Sequence, residues 1–87
     1  MARRLCIRGH VQGVGFRYAL MEQAERLGLS GWVRNCRDGT VEAVADGTPD
    51  AVEALIRWAH RGPPSAVVSA VNVDEDSGHY DTFEMRT

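Results

Sequence analysis

Short segments in which apolar and polar residues alternate indicate β-strands along the chain. The first segment is the clearest, because Leu5 and Ile7 alternate with more polar neighbours. In the fourth, the same alternation is expected to place Val67, Val71 and Val73 on one face. The predicted strands cover residues 3–9, 31–36, 40–46 and 66–73, with a short fifth strand over 82–86.

Two longer segments repeat apolar residues every three or four positions, which is typical of an amphipathic helix. The first helix is expected to begin at Phe16 and to stop at Gly28. The second has Thr48 as its N-cap, Pro49 in its first turn and a stop at Gly62. The two apolar stripes consist of Phe16, Ala19, Leu20, Ala24 and Leu27, and of Val52, Leu55, Ile56 and Ala59.

The order of these elements is β-α-β-β-α-β plus a short C-terminal strand. It predicts an α+β fold, a ferredoxin-like two-layer α/β sandwich in which two helices cover one face of an antiparallel sheet. The 87 residues leave room for a single domain, residues 1–87. A right-handed crossover makes strands one and two run in the same direction, with strand three between them. Strand two, with Trp32, is then expected at an edge.

The basic residues of the chain are ten arginines and no lysine, against twelve acidic residues. The missing lysine excludes a P-loop phosphate site and Schiff-base chemistry. The net charge of -2 argues against a general nucleic-acid binder. An arginine can still bind phosphate, because its guanidinium matches two phosphate oxygens at once.

Cysteine spacing and the N-terminal segment bear on the compartment. Cys6 and Cys36 form no CxxC or zinc-type spacing, and no histidine pairs with them, so two reduced thiols and no metal are expected. The chain has no run of 18 apolar residues and its start lacks the apolar region of a signal peptide. We therefore expect a cytoplasmic protein without a membrane partner.

A glycine-rich segment over residues 9–17 joins the first strand to the first helix. The three glycines in residues 9–15 allow backbone N–H groups to converge at the start of the helix. Arg17 adds a positively charged guanidinium there. Asn35, at the end of strand two, is expected at the same sheet edge, roughly 10 Å away. Two interpretations remain open on these residues alone: an anion cradle, or a tight turn with a surface arginine.

The strings Val11-Gln-Gly-Val-Gly-Phe-Arg17, Gly31-Trp-Val-Arg-Asn35 and Asp38-Gly-Thr-Val41 carry a resemblance. With them the chain resembles the acylphosphatase family over essentially all of its length. The resemblance implies hydrolysis of an acyl phosphate to a carboxylate and inorganic phosphate, without metal or cofactor. It further implies that Arg17 binds the phosphoryl group and that Asn35 orients the attacking water. The loop would contribute backbone N–H groups from His10, Val11, Gln12, Gly13, Val14, Gly15 and Phe16.

Three other interpretations compete with this one. A non-catalytic acylphosphatase-like domain could bind phosphate or carbamoyl phosphate, although the chain stops at Thr87 with no further segment, which favours a free-standing enzyme. His10 could act as a general base, although the implied mechanism needs none. RNA binding would require aromatic residues on the central strands, and those strands have none. We expect a monomer with no nucleic-acid partner.

Overall fold

The computed structural model describes all 87 residues, which form a five-stranded sheet and two helices. Each element begins and ends within two residues of its predicted boundary. In chain order the elements are β1 (Ala2–His10), α1 (Phe16–Arg26), β2 (Ser30–Asn35), β3 (Val41–Asp46), α2 (Pro49–Arg61), β4 (Val67–Glu75) and β5 (Phe83–Arg86).

The strands lie in the order β4-β1-β3-β2-β5, and the predicted position of β3 is confirmed. β3 pairs antiparallel with β1 on one side and with β2 on the other. β1 and β2 therefore run in the same direction. Their last residues, His10 and Asn35, both lie at one edge of the sheet, next to the start of α1.

The expectation of a fully antiparallel sheet is wrong for β5, which pairs parallel with β2. Residues 76–82 carry the chain across one end of the sheet, from the β4 edge to the opposite edge. Their backbone is held at both ends, by Asp76 N–H donating to Ala2 C=O and by Gly31 N–H donating to Thr82 C=O. The chain reverses once on this route, so β5 runs in the direction of β2.

The expectation that Trp32 lies on an edge strand is also wrong because of β5. Because β5 pairs outside β2, Trp32 lies on an interior strand and not at an edge. The guanidinium carbon of Arg86 lies 4.6 Å from the centre of the Trp32 ring, and that of Arg34 lies 5.7 Å from it. Both contacts are within the range of a cation–π interaction.

The hydrophobic core lies between the sheet and the two helices. Fewer helix residues are fully buried than the apolar stripes predicted. Ala19, Leu27 and Ile56 are only partly buried. Burying a large apolar side chain of this kind contributes about 1.5–3 kcal/mol. The fully buried helix residues are Phe16, Leu20 and Ala24 in α1 and Val52, Leu55 and Ala59 in α2.

The prediction that Val67, the first residue of β4, lies on the apolar face of this strand is wrong. Val67 is 65% exposed, and Val68 packs against the core in its place. The cause is an irregularity in the pairing with β1 between Arg8 and Gly9, which shifts the register and breaks the alternation of faces. Val71 packs as expected, whereas Val73 remains 38% exposed on this edge strand.

The predicted signals at both ends of α2 are confirmed. The Thr48 hydroxyl oxygen accepts a hydrogen bond from Ala51 N–H at 3.3 Å, and Pro49 lies in the first turn. Gly62 ends the helix, and its N–H donates to Trp58 C=O. Neither α1 nor α2 is long and apolar enough to cross a membrane.

Candidate active site

The loop between β1 and α1 presents a row of backbone N–H groups with no partner in the protein. None of the N–H groups of residues 12–18 donates a hydrogen bond to another protein group. Gly13 and Gly15 have φ angles of 75° and 77°, a left-handed conformation that glycine adopts without strain. Gly15 is the N-cap of α1, and no side chain caps this helix. Free N–H groups at a helix start attract an anion.

Arg17 lies in the first turn of α1, directly after this loop. Its Nη1 donates a hydrogen bond to the backbone oxygen of Arg86 in β5 at 3.3 Å, which ties the side chain to the end of the sheet. Arg17 forms no ion pair with a carboxylate, whereas Arg3, Arg26, Arg34 and Arg86 do. Its charge is therefore available to an incoming anion.

Asn35 is the last residue of β2 and lies opposite Val41 in β3. It is partly buried, and its carboxamide is not among the side chains hydrogen-bonded within the protein. The carboxamide is thus free to bind water or substrate. A neutral amide offers both a donor and an acceptor without adding charge.

Arg17 and Asn35 line the same cavity, which has a volume of about 220 Å³. This is the juxtaposition expected from the β1-α1-β2 crossover, because β1 and β2 end at the same edge of the sheet. The loop and the first turn of α1 supply the rest of the lining of the cavity. Its remaining lining residues are Val11, Gly13, Gly15, Phe16 and Tyr18.

Three of the loop positions named from the sequence lie outside this cavity. His10 is the last residue of β1, pairs with Val67 and is exposed. Val14 packs against the hydrophobic core, and Gln12 turns toward the β2–β3 hairpin. The structure does not bring His10 to the cavity, so its geometry gives no support to a general base at that position.

The side chain of Gln12 connects the loop to the β2–β3 hairpin, a role that sequence reasoning missed. Its Nε2 donates to the backbone oxygens of Cys36 at 2.7 Å and Thr40 at 2.9 Å. These carbonyls flank the turn that follows Asn35. Gln12 therefore fixes the β1–α1 loop relative to the end of β2 at Asn35. The signal that could have suggested this role is a polar residue, Gln12, between the apolar residues Val11 and Val14 of the loop.

Further hydrogen bonds stabilise the hairpin turn. Asp38 Oδ1 accepts from the Thr40 hydroxyl at 2.7 Å and from Thr40 N–H at 3.0 Å. These hydrogen bonds lower the pKa of the Asp38 carboxyl below its usual value. Cys36 N–H donates to Thr40 C=O at 2.8 Å, which closes the turn. Asn35 is thus placed by a well-connected hairpin.

Phe16 anchors the other side of the loop. The side chain is 2% exposed, and its ring centre lies 5.5 Å from that of Trp58 in α2, with the two planes inclined by 59°. This tilted arrangement is favourable for aromatic pairs. Because Phe16 directly precedes Arg17, the contact with α2 fixes the start of the helix that presents the guanidinium.

A larger cleft of about 650 Å³ lies elsewhere, between the middle of α1 and the end of α2. Its lining includes Trp58, Arg61 and Pro63 but neither Arg17 nor Asn35. No group of three His, Cys, Asp or Glu side chains is placed to hold a metal ion. The smaller cavity is the candidate site, because only there do free donors, a guanidinium and a carboxamide converge.

The fold and the cavity together define the class of protein. Unpaired N–H groups and an arginine suit a phosphoryl group, and the carboxamide beside them can orient water. A ferredoxin-like sandwich with this site has the features of a phosphate-binding hydrolase.

Comparison with known sequences and structures identifies the family within this class. The sequence profile of the acylphosphatase family matches residues 3–85. An acylphosphatase of Thiobacillus denitrificans is 54% identical over 83 residues, which cover 95% of this chain and 93% of that protein. The structure of an acylphosphatase from Coxiella burnetii aligns with a TM-score of 0.94 at 42% identity, over 98% of this chain and 90% of that one. One from Bacillus subtilis also gives 0.94, at 33% identity, over 99% and 98% of the two chains. The chain belongs to the acylphosphatase family.

Family membership confirms the ferredoxin-like fold and the activity that the sequence resemblance implied. The protein is a hydrolase that cleaves acyl phosphates. The alternative of a non-catalytic phosphate-binding domain is not favoured, because the match with an acylphosphatase extends over nearly all of both chains.

Proposed function

We propose that Arg17, the loop N–H groups and Asn35 carry out the hydrolysis, and that residues 1–87 act as one domain. The observation that supports this most is the shared cavity of about 220 Å³, which Arg17 and Asn35 both line. The substrate is an acyl phosphate, and the products are a carboxylate and inorganic phosphate.

The phosphoryl group binds between Arg17 and the N–H groups at the start of α1. Charge resides on the three non-bridging oxygens throughout a loose transition state, so donors positioned beforehand are the main catalytic contribution. The guanidinium offers two parallel N–H bonds, and the loop offers N–H groups that have no other partner. Hydrogen bonds to an anion in such a site are stronger than those to neutral groups.

Asn35 binds the attacking water and aligns its oxygen with phosphorus. The carboxamide oxygen accepts a hydrogen bond from the water, which leaves a lone pair directed at the phosphoryl group. As the new P–O bond forms, the bond from phosphorus to the acyl oxygen breaks and its electron pair leaves with the carboxylate. A phosphoryl oxygen of the substrate accepts the water proton. Because a carboxylate is a good leaving group, the step needs no strong general acid.

Gln12 positions these two halves of the site relative to each other. It contacts neither the phosphoryl group nor the water in this proposal, since its side chain binds the Cys36 and Thr40 carbonyls. Without it, the loop would lose its two side-chain hydrogen bonds to the Asn35 hairpin and could shift relative to Asn35. A displacement of about 1 Å can lower the rate roughly 100-fold.

We also propose that the protein acts in the cytoplasm as a monomer, with the small acyl phosphate as its partner and no nucleic acid. Both cysteines, Cys6 and Cys36, are free thiols in the structure. Free thiols are typical of a reducing compartment.

The proposal is tested by measuring phosphate release from acetyl phosphate, with inorganic phosphate as an inhibitor. We expect competitive inhibition, since product and substrate share the phosphoryl site. Arg17→Ala is expected to weaken inhibition and lower the rate together. A folded Arg17→Ala variant with unchanged rate and inhibition would show that the phosphoryl group binds elsewhere.

A further inference from the structure

The cavity is small compared with the substrates it could serve. Its volume of about 220 Å³ lies below the roughly 300–1,000 Å³ typical of small-molecule pockets. It can hold the phosphoryl group and the atoms next to it. A bulky acyl group must therefore extend past the rim of the cavity.

Two aromatic residues line the cavity, Phe16 and Tyr18, and only Tyr18 is exposed. Tyr18 lines the cavity, directly follows Arg17 and is 71% exposed. The other exposed large hydrophobic residues, Met1, Val67 and Val73, lie at the N-terminus and on β4, and none of them lines the cavity.

Folding does not require an aromatic residue at this position. The packed face of α1 consists of Phe16, Leu20 and Ala24, and Tyr18 lies outside it. The hydroxyl of Tyr80 donates to Asp76 at 2.8 Å, whereas Tyr18 has no such partner. The ring of Tyr18 is therefore available to a bound ligand.

We infer that Tyr18 contacts the acyl group of the substrate and favours aromatic acyl phosphates over acetyl phosphate. This inference rests on the binding of the phosphoryl group by Arg17 proposed above. An aromatic ring offers a face on which a planar acyl group can stack. The acyl group makes this contact both before and during the reaction, so the contact lowers KM and leaves kcat nearly unchanged.

The test compares benzoyl phosphate with acetyl phosphate in Tyr18→Ala and Tyr18→Phe. We expect Tyr18→Ala to raise KM for benzoyl phosphate about three- to tenfold, the range for an aromatic contact, and to leave KM for acetyl phosphate within about twofold. Tyr18→Phe keeps the ring and is expected to match the parent on both substrates. Val67→Ala, an exposed apolar residue outside the cavity, is the control for a general surface effect.

Inhibition by inorganic phosphate separates this inference from the proposed function. Phosphate lacks an acyl group, so its Ki is expected to stay unchanged in Tyr18→Ala. Equal changes in KM for both substrates, or no change for benzoyl phosphate, would overturn the role of Tyr18. If Arg17→Ala left phosphate inhibition intact, the proposed phosphoryl site would fail, whatever the Tyr18 variants did.

Discussion

The Gln12 side chain makes the only side-chain hydrogen bonds observed between the β1–α1 loop and the β2–β3 hairpin that follows Asn35. Gln12→Ala removes its two hydrogen bonds, of 2.7 and 2.9 Å, to Cys36 and Thr40. Both carbonyls keep another donor, since Gly39 N–H donates to Cys36 C=O and Cys36 N–H donates to Thr40 C=O. No buried acceptor is left unpaired, so each lost bond costs the usual net value of about 0.5–1.5 kcal/mol.

The expected loss of unfolding free energy in Gln12→Ala is therefore about 1–3 kcal/mol for the two bonds. For a domain of this size it corresponds to a decrease in Tm of about 4–24 °C. We also expect kcat to decrease more than phosphate affinity, because Arg17 stays on α1 whereas Asn35 loses its fixed position relative to the loop. Urea unfolding gives the first quantity, and steady-state kinetics with acetyl phosphate gives the second.

Two further variants sharpen this experiment. Gln12→Glu places a carboxylate against two carbonyl oxygens and is expected to destabilise the protein more than Gln12→Ala, with partial recovery at acid pH as the carboxyl becomes a donor. Gln23→Ala, in α1 and outside the small cavity, is the matched control. A Gln12→Ala variant with the stability and kcat of the control would show that these two hydrogen bonds contribute to neither property. A destabilised variant with unchanged kcat would refute the positioning role.

The remaining predictions concern the hairpin. Asn35→Ala is expected to lower kcat about 100-fold, as for removal of one positioned polar group, with a small change in KM for acetyl phosphate; equal losses in binding and rate would contradict water positioning. Asp38 has a pKa lowered by Thr40, so its folded-state pKa lies below the unfolded one. Its stabilising contribution is complete above the unfolded pKa of about 3.9 and is lost as pH falls through the folded pKa. Urea unfolding of Asp38→Ala should thus show a weaker dependence on pH below about 4 than the parent, and an identical dependence would contradict this.

Local signals in the sequence predicted most of the architecture. Thr48, Pro49 and Gly62 set the limits of α2 through capping and backbone geometry that depend on nearby residues alone. The change from alternating to helical spacing at Phe16 marked the start of α1. Because β-α-β crossovers are almost always right-handed, the order of these elements was enough to predict that Arg17 and Asn35 lie at the same edge of the sheet. Both residues line one cavity in the structure.

Features that depend on distant contacts could not be predicted in the same way. The parallel pairing of β5 follows from the route of residues 76–82 across the sheet, which no local pattern encodes. Val67 is exposed because the pairing of β1 with β4 shifts register between Arg8 and Gly9. The sequence around Gly9 does not show which residue of β4 it pairs with. The bonds of Gln12 reach residues 24 and 28 positions away in the chain. The spacing of polar residues in the loop cannot show where such a side chain points.

The proposed role of the Arg17 guanidinium is to hold the phosphoryl group through two parallel hydrogen bonds. Its one observed hydrogen bond to the protein, to Arg86 C=O at 3.3 Å, is solvent-exposed, so replacing the side chain should cost at most about 1 kcal/mol of stability. Circular dichroism can therefore confirm that the variants are folded.

The most direct measurement is kcat/KM for acetyl phosphate in Arg17→Lys, together with Ki for inorganic phosphate. Lysine keeps the charge but cannot form two parallel hydrogen bonds. We predict a decrease in kcat/KM of about 100-fold or more and a higher Ki, close to the values of Arg17→Ala. A folded Arg17→Lys variant with the kcat/KM and Ki of the parent would show that two parallel hydrogen bonds from a guanidinium are not required.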